Sequence, residues 1–185
     1  MPVSLTSRSQ YVGLHFSSNI RLFVSMKTAT VSELKRELKS RSEEELLELC
    51  LHLSKFKKEN KELLTYLLYE SVDEDAFISG VQSEVEALFT EINTHSYYYI
   101  KKSVRKILRL IKKYIRYSKK KETEVQLLLH FCECLKSMKP PMLRDAALHN
   151  IYLRQVEMIR KALSTLHEDL QYDYEQELHD LEGRV

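Results

Sequence analysis

The chain has 185 residues, a net charge of +2, 43% hydrophobic and 30% charged residues, and only three glycines and three prolines. That length bounds it to one domain or at most two small ones, and the balance of apolar and charged residues excludes a disordered polymer. Strand-rich folds need many turns and turns need Gly and Pro, so their scarcity beside abundant Leu, Glu and Lys predicts an all-α fold.

The first 25 residues stand apart. They hold six serines, Arg8 and Arg21, and the first acidic residue of the chain is Glu33. Residues 1–28 therefore read as a loose N-terminal extension, with Met26 a plausible alternative start to Met1, and residues 29–182 as a single α-helical domain.

Thr30-Val31-Ser32-Glu33 has the form of a capping box, followed by Leu34 and Leu38 on one face, which predicts a short helix ending near Ser40. Ser42-Glu43-Glu44-Glu45 repeats the signal and opens a helix carrying Leu46, Leu47, Leu49, Cys50, Leu53 and Phe56. Asn60 is a candidate cap for a third helix bearing Leu63, Leu64, Tyr66, Leu67 and Leu68. Asp73 is a candidate cap for a fourth, with a stripe of Phe77, Ile78, Val81, Val85, Leu88, Phe89 and Ile92. Gly80 inside it costs roughly 1 kcal/mol and points to a close helix crossing.

The next helix is the most informative. Lys101 to Lys121 holds eleven Lys/Arg and no Asp or Glu, leaving −9 for the rest of a chain that nets +2. At 100° per residue, Ile100, Val104, Ile107, Leu108, Ile111, Tyr114 and Ile115 fall within an arc of about 120°. Lys101, Lys102, Arg105, Lys106, Arg109, Lys112, Lys113, Arg116, Lys119 and Lys120 fill the opposite arc and form a candidate anion or nucleic-acid face. About ten like-charge contacts at i,i+3 and i,i+4, at ~0.2–0.5 kcal/mol each, cost roughly 2–5 kcal/mol unless an anion relieves them. That anion is either an external polyanion or an acidic segment of the same fold. Glu168, Asp169, Asp173, Glu175, Glu177, Asp180 and Glu182 form such a segment without one Lys or Arg.

A sixth helix is predicted from Glu122 to Ser137, with Val125, Leu128, Leu129, Cys132 and Leu135 inward, and Pro140-Pro141 breaks the chain after it. A last helical region from about Arg144 carries Leu148, Ile151, Tyr152, Ile159, Leu163, Leu166 and Leu170, then Tyr174, Leu178 and Leu181, with a bend near Asp169–Gln171. Short connections between about seven helices predict an antiparallel bundle or stacked helical hairpins.

Little in the chain carries catalysis. His130-Phe131-Cys132-Glu133-Cys134 has zinc-type ligands, but Cys132 points some 160° away from the face that His130 and Cys134 share, so buried cysteines and a surface histidine are the expected reading. Glu91 with His95 and Asp145 with His149, each at i,i+4, read as helix-surface pairs. With three glycines there is no P-loop, no dinucleotide fingerprint and no nucleophile elbow, so no enzyme, metal or cofactor is expected. The three cysteines, Cys50, Cys132 and Cys134, lack the spacing of a disulfide framework and fit a cytoplasmic setting. No run approaches the ~18 apolar residues of a transmembrane segment. Tyr97-Tyr98-Tyr99 abuts the basic helix, where aromatics beside cations can stack on bases, although three consecutive rings cannot share one helix face.

Thr30–Arg41 resembles the first helix of the SAP motif, a small DNA-binding module, but the chain continues SEEELLELC where that motif has a glycine turn and a basic second helix. Leu34, Lys35, Leu38, Lys39, Ser40, Ser42, Glu44, Glu45 and Leu46 resemble the opening of a family of small bacterial all-helical proteins. That resemblance implies a bacterial cytoplasmic helical protein, and covers mainly residues 30–70. The expectation is a non-enzymatic interaction protein whose partner, in the first instance a protein, docks on helical surfaces. The alternative is a nucleic-acid binder using residues 101–121 against phosphates.

Overall fold

The computed structural model describes residues 27–183, and among them the chain forms eight α-helices, two short 3-10 turns and no strand. The all-α class holds. The helices are α1 (Val31–Leu38), α2 (Glu43–Phe56), α3 (Lys58–Leu68), α4 (Glu74–Thr90), α5 (Tyr97–Ser118), α6 (Lys121–Ser137), α7 (Ala146–Leu163) and α8 (Glu168–Gly183). The segment read as an extension, residues 1–28, lies outside the described residues except for its last two.

The chain divides into two units, Met1–Leu46 and Leu47–Val185. In the first, both capping boxes are formed. Thr30 Oγ1 accepts from the Glu33 amide at 3.3 Å while Glu33 Oε2 accepts from the Thr30 amide at 2.8 Å. Ser42 and Glu45 make the same reciprocal pair at the start of α2. Each satisfies two donors that a helix start otherwise leaves open.

The second unit is built around α6. Its Thr123, Val125, Leu127, Leu128, Leu129, Phe131, Cys132 and Leu135 are all buried, which is more than one face, because α4, α5, α7 and α8 all pack on it. α4 contributes Phe77, Ile78, Val81 and Val85, and α7 contributes Leu148, Tyr152, Val156, Ile159 and Leu163. Asp73 caps α4 through the Ala76 amide, and Asp145 caps α7 through the amides of Ala147 and Leu148.

Four expectations are corrected. Asn60 does not cap α3. The helix starts at Lys58, and the Asn60 side chain donates to the Leu53 carbonyl at 2.9 Å, satisfying the open end of α2. Leu67 and Leu68 do not join the core; both are exposed. The C-terminal region is two helices, broken at Ser164–His167 rather than bent at residues 169–171. There Ser164 and Thr165 hydroxyls donate back to the Lys161 and Ala162 carbonyls, and Glu168 and Asp169 start α8 at the positive end of a new dipole. Gly80 marks no close crossing: a Cβ built there would meet nothing within 4 Å.

Two outcomes follow. Gly80→Ala is expected to stabilise the fold by about 0.5–1 kcal/mol, because alanine lowers the entropy of the unfolded chain and strains nothing here. A lower melting temperature by circular dichroism would contradict it. Ile111, fully buried on α5, changed to Asp is expected to cost about 3 kcal/mol or more through a buried unpaired charge, read from urea denaturation against wild type.

Candidate functional site

α5 carries the basic stretch, and its apolar side is sealed. Ile100, Val104, Ile107 and Ile111 are buried against α4 and α6, and Leu108, Tyr114 and Ile115 pack at the edge of the same core. An amphipathic helix whose apolar stripe is already covered cannot insert that stripe into a lipid surface. Among the described residues no helix is long and apolar enough to cross a membrane.

The ten cations expected on one outer face separate into two groups. Lys101 is half-buried, with Nζ 2.8 Å from Asp145 Oδ2, and so ties α5 to the cap of α7. Lys113 is also half-buried. Its Nζ lies 2.6 Å from Glu62 Oε2 of α3 and 4.8 Å from the centre of the Tyr114 ring. Lys112 lies partly inward, with Nζ 3.4 Å from Met158 Sδ. Lys120 pairs with Glu74 at 2.9 Å. By contrast, Lys102, Arg105, Lys106, Arg109, Arg116 and Lys119 are exposed, and none has a carboxylate within ion-pair distance among the described residues.

The basic stretch is also not one helix. α5 ends at Ser118, Lys119 adopts the left-handed conformation with φ of 60°, and Lys121 is the first residue of α6. The cause lies in Glu74 at the start of α4. Its carboxylate accepts from Ser118 Oγ at 2.5 Å, Thr123 Oγ1 at 2.6 Å and Tyr66 OH at 2.7 Å, besides its pair with Lys120. Burial alone pushes this carboxyl up, but the hydrogen bonds from Ser118, Thr123, Lys120 and Tyr66 outweigh it and bring it down to about 2. Nearby, hydrogen bonding from Lys113, with help from Tyr117, lowers Glu62 against the opposing effect of burial. Burial and then the Glu62 hydrogen bond push Tyr117 up to about 12, so the phenol keeps its proton.

The acidic C-terminal run does not cover α5. It folds as α8, which packs on α6 and α7, and Glu182 pairs with Arg160 of α7. Lys121 pairs locally with Glu124 of α6, and the partners that other elements bring to the stretch are Asp145, Glu62 and Glu74. Sequence reasoning missed all three as ion-pair partners, since each is brought close by tertiary packing alone. It did place Asp145 near a helix start, but read it as a partner of His149.

Outer residues of α5 form a row. Tyr98, Lys102, Arg105, Arg109 and Arg116 recur at intervals of four, three, four and seven, with Lys106 beside them, over about 27 Å of helix. Tyr98 is 68% exposed and meets Tyr99 edge-on at 5.3 Å between ring centres. Tyr97 turns away, donating its hydroxyl to the Pro141 carbonyl at 3.1 Å.

Elsewhere, Cys132 is buried in the core while Cys134 Sγ lies 3.6 Å from His130 Nε2, so the two cysteines face different ways. Burial pushes the Cys134 thiol up to about 11, with Glu86 and Glu133 adding to it, and pushes Cys132 up as well. His130 is half-buried and 3.4 Å from Glu86. Among the described residues no three His, Cys, Asp or Glu side chains converge to hold a metal ion. Glu91 ends α4 and so shares no helix with His95. A cleft of about 580 Å³ between α3, α4 and α5 is walled by Tyr66, Phe77, Tyr114 and Tyr117, with Gly80 in its wall.

In comparisons with known proteins, no family model, no curated protein and no solved structure matches this chain.

Glu74 gives a pH test. Its folded pKa of about 2 lies below its ordinary 4.5. The stabilisation is therefore full above pH ~4.5 and is lost as pH falls toward 2, and amounts to about 3 kcal/mol. Urea unfolding of wild type and Glu74→Gln at pH 7 and pH 3 should show a gap that shrinks at the lower pH. An equal gap at both would contradict the assignment.

Proposed function

We propose that this chain is a non-enzymatic interaction protein and that the partner its geometry fits best is a nucleic-acid strand, held by its phosphates along the outer row of α5. One observation carries the reading: six exposed cations, Lys102, Arg105, Lys106, Arg109, Arg116 and Lys119, lack carboxylate partners among the described residues. A face of like charge with no internal neutralisation is relieved by an external polyanion. The placement of α8 on α6 and α7 supports this, because the acidic segment best able to neutralise the row packs elsewhere. An acidic protein would meet the same charges. Tyr98, exposed and in line with the cations, favours nucleic acid and in particular a single strand, whose bases offer their faces for stacking. The three unpaired cysteines and the likeness of residues 30–70 to bacterial helical proteins extend the proposal to a bacterial cytoplasmic setting.

The test is fluorescence anisotropy with labelled single-stranded and duplex oligonucleotides over a salt series. Affinity should fall with salt, with a log–log slope no steeper than about −4 for six phosphate contacts to a single strand. Lys102, Arg105, Arg109 and Arg116 changed together to Glu should abolish binding while leaving the circular dichroism spectrum and melting intact. Tyr98→Ala should weaken single-strand binding by about 1–3 kcal/mol and leave duplex binding nearly unchanged. Lys101→Ala, whose cation points inward, should lower the melting temperature more than it lowers affinity. No binding even at low salt would sink the proposal.

A further inference from the structure

A second surface is unconnected with the basic row. α2 has no buried residue, although half of its 14 residues are Leu, Cys or Phe. Leu47 is 61% exposed, Leu53 56% and Phe56 72%, with Leu49 and Leu51 close behind. These are large apolar side chains on a well-formed, capped helix, and an apolar surface of this kind marks a contact with something else.

The pattern says what kind of contact. Leu46, Leu49, Leu53 and Phe56 recur at intervals of three, four and three, which is the spacing of a seam that packs on one other helix. Charge says which helix and in which direction. The start of α2 is acidic, with Glu43, Glu44 and Glu48, and its end is basic, with Lys55 and then Lys57. A helix with a Leu seam, an acidic start and a basic end is complementary to itself when reversed. Side by side in the same direction, two such helices would set like charge against like.

We propose that α2 is the contact between two copies of this chain, paired antiparallel about a two-fold axis passing near Leu51. Leu49 of each copy then meets Leu53 of the other, and Leu46 meets Phe56. An isologous contact of this kind closes as a dimer and does not propagate. Cys50, exposed and flanking the seam, comes close to its own symmetry mate across the axis. α2 is about 21 Å long and offers less than the roughly 800 Å² per partner of a standard interface. An interface of that size suits a reversible dimer that forms as concentration rises.

The experiment is sedimentation equilibrium of the full chain from low micromolar to several hundred micromolar, in reducing buffer. The expected result is a mass rising with concentration from one chain to two. Leu49→Glu with Leu53→Glu should hold the protein monomeric throughout with an unchanged circular dichroism spectrum, because both side chains are exposed in the free chain. Treatment of wild type with a short bismaleimide should give a covalent dimer that Cys50→Ser loses; this readout decides the matter even if the double variant fails to fold. A monomer at every concentration would overturn the proposal and leave α2 to a helix of another protein. A dimer that survives the double variant, or one that Cys50 does not cross-link, would overturn it equally, by placing the contact elsewhere.

Discussion

One partly buried carboxylate sets the corner on which the basic helix depends. Glu74 receives hydrogen bonds from α3, from the end of α5 and from the start of α6, and its own helix begins at its position. Without that acceptor, Ser118 and Thr123 would bring two hydroxyls into a closed corner with nothing to receive them, at a cost of about 1–3 kcal/mol each. With it, the chain turns within two residues. Lys119 takes the left-handed conformation, uncommon for a side-chain-bearing residue, and α6 starts immediately beneath α5. The direction of α6 then decides what α4, α7 and α8 can pack on.

The same corner divides the cations of α5 by role. Those whose carboxylates come from other helices, namely Lys101 with Asp145 and Lys113 with Glu62, fasten α5 to its neighbours, and Lys120, just beyond its end, does the same with Glu74. Those pointing outward have no such duty. A helix with eleven basic residues in and just beyond it is thus a structural element on its flanks and a free charged surface along its crest. The tyrosines divide in the same way. Tyr97, Tyr114 and Tyr117 have hydroxyl partners within the fold, whereas Tyr98 and Tyr99 face outward.

What the sequence made legible was local. Apolar spacing located α4, α5 and α6, and the Thr30/Glu33, Ser42/Glu45 and Asp73 caps located helix starts, because periodicity and capping are properties of a few consecutive residues. The misses share one physical origin, a polar group whose partner is not fixed by its neighbours. Asn60 looks like a cap until the Leu53 carbonyl claims it, and Ser164-Thr165 looks like helix until both hydroxyls turn back on the chain. Lys119 gives no sign of left-handed backbone, as a glycine would. The ion-pair partners of Lys101 and Lys113 lie 44 and 51 residues away, and no spacing rule reaches that far. The basic face itself was legible as charge; which of its members point outward was not.

The outward row has a consequence for how the protein responds to ionic strength. Its cations repel one another across open water, where mobile ions screen well, whereas the inward pairs are partly shielded from solvent and screen poorly. Moderate salt therefore makes the protein itself sturdier, and would loosen its hold on a polyanion docked along the row. Counterions and a docked polyanion would be rivals for one electrostatic vacancy, each stabilising the fold to the extent that it fills that vacancy.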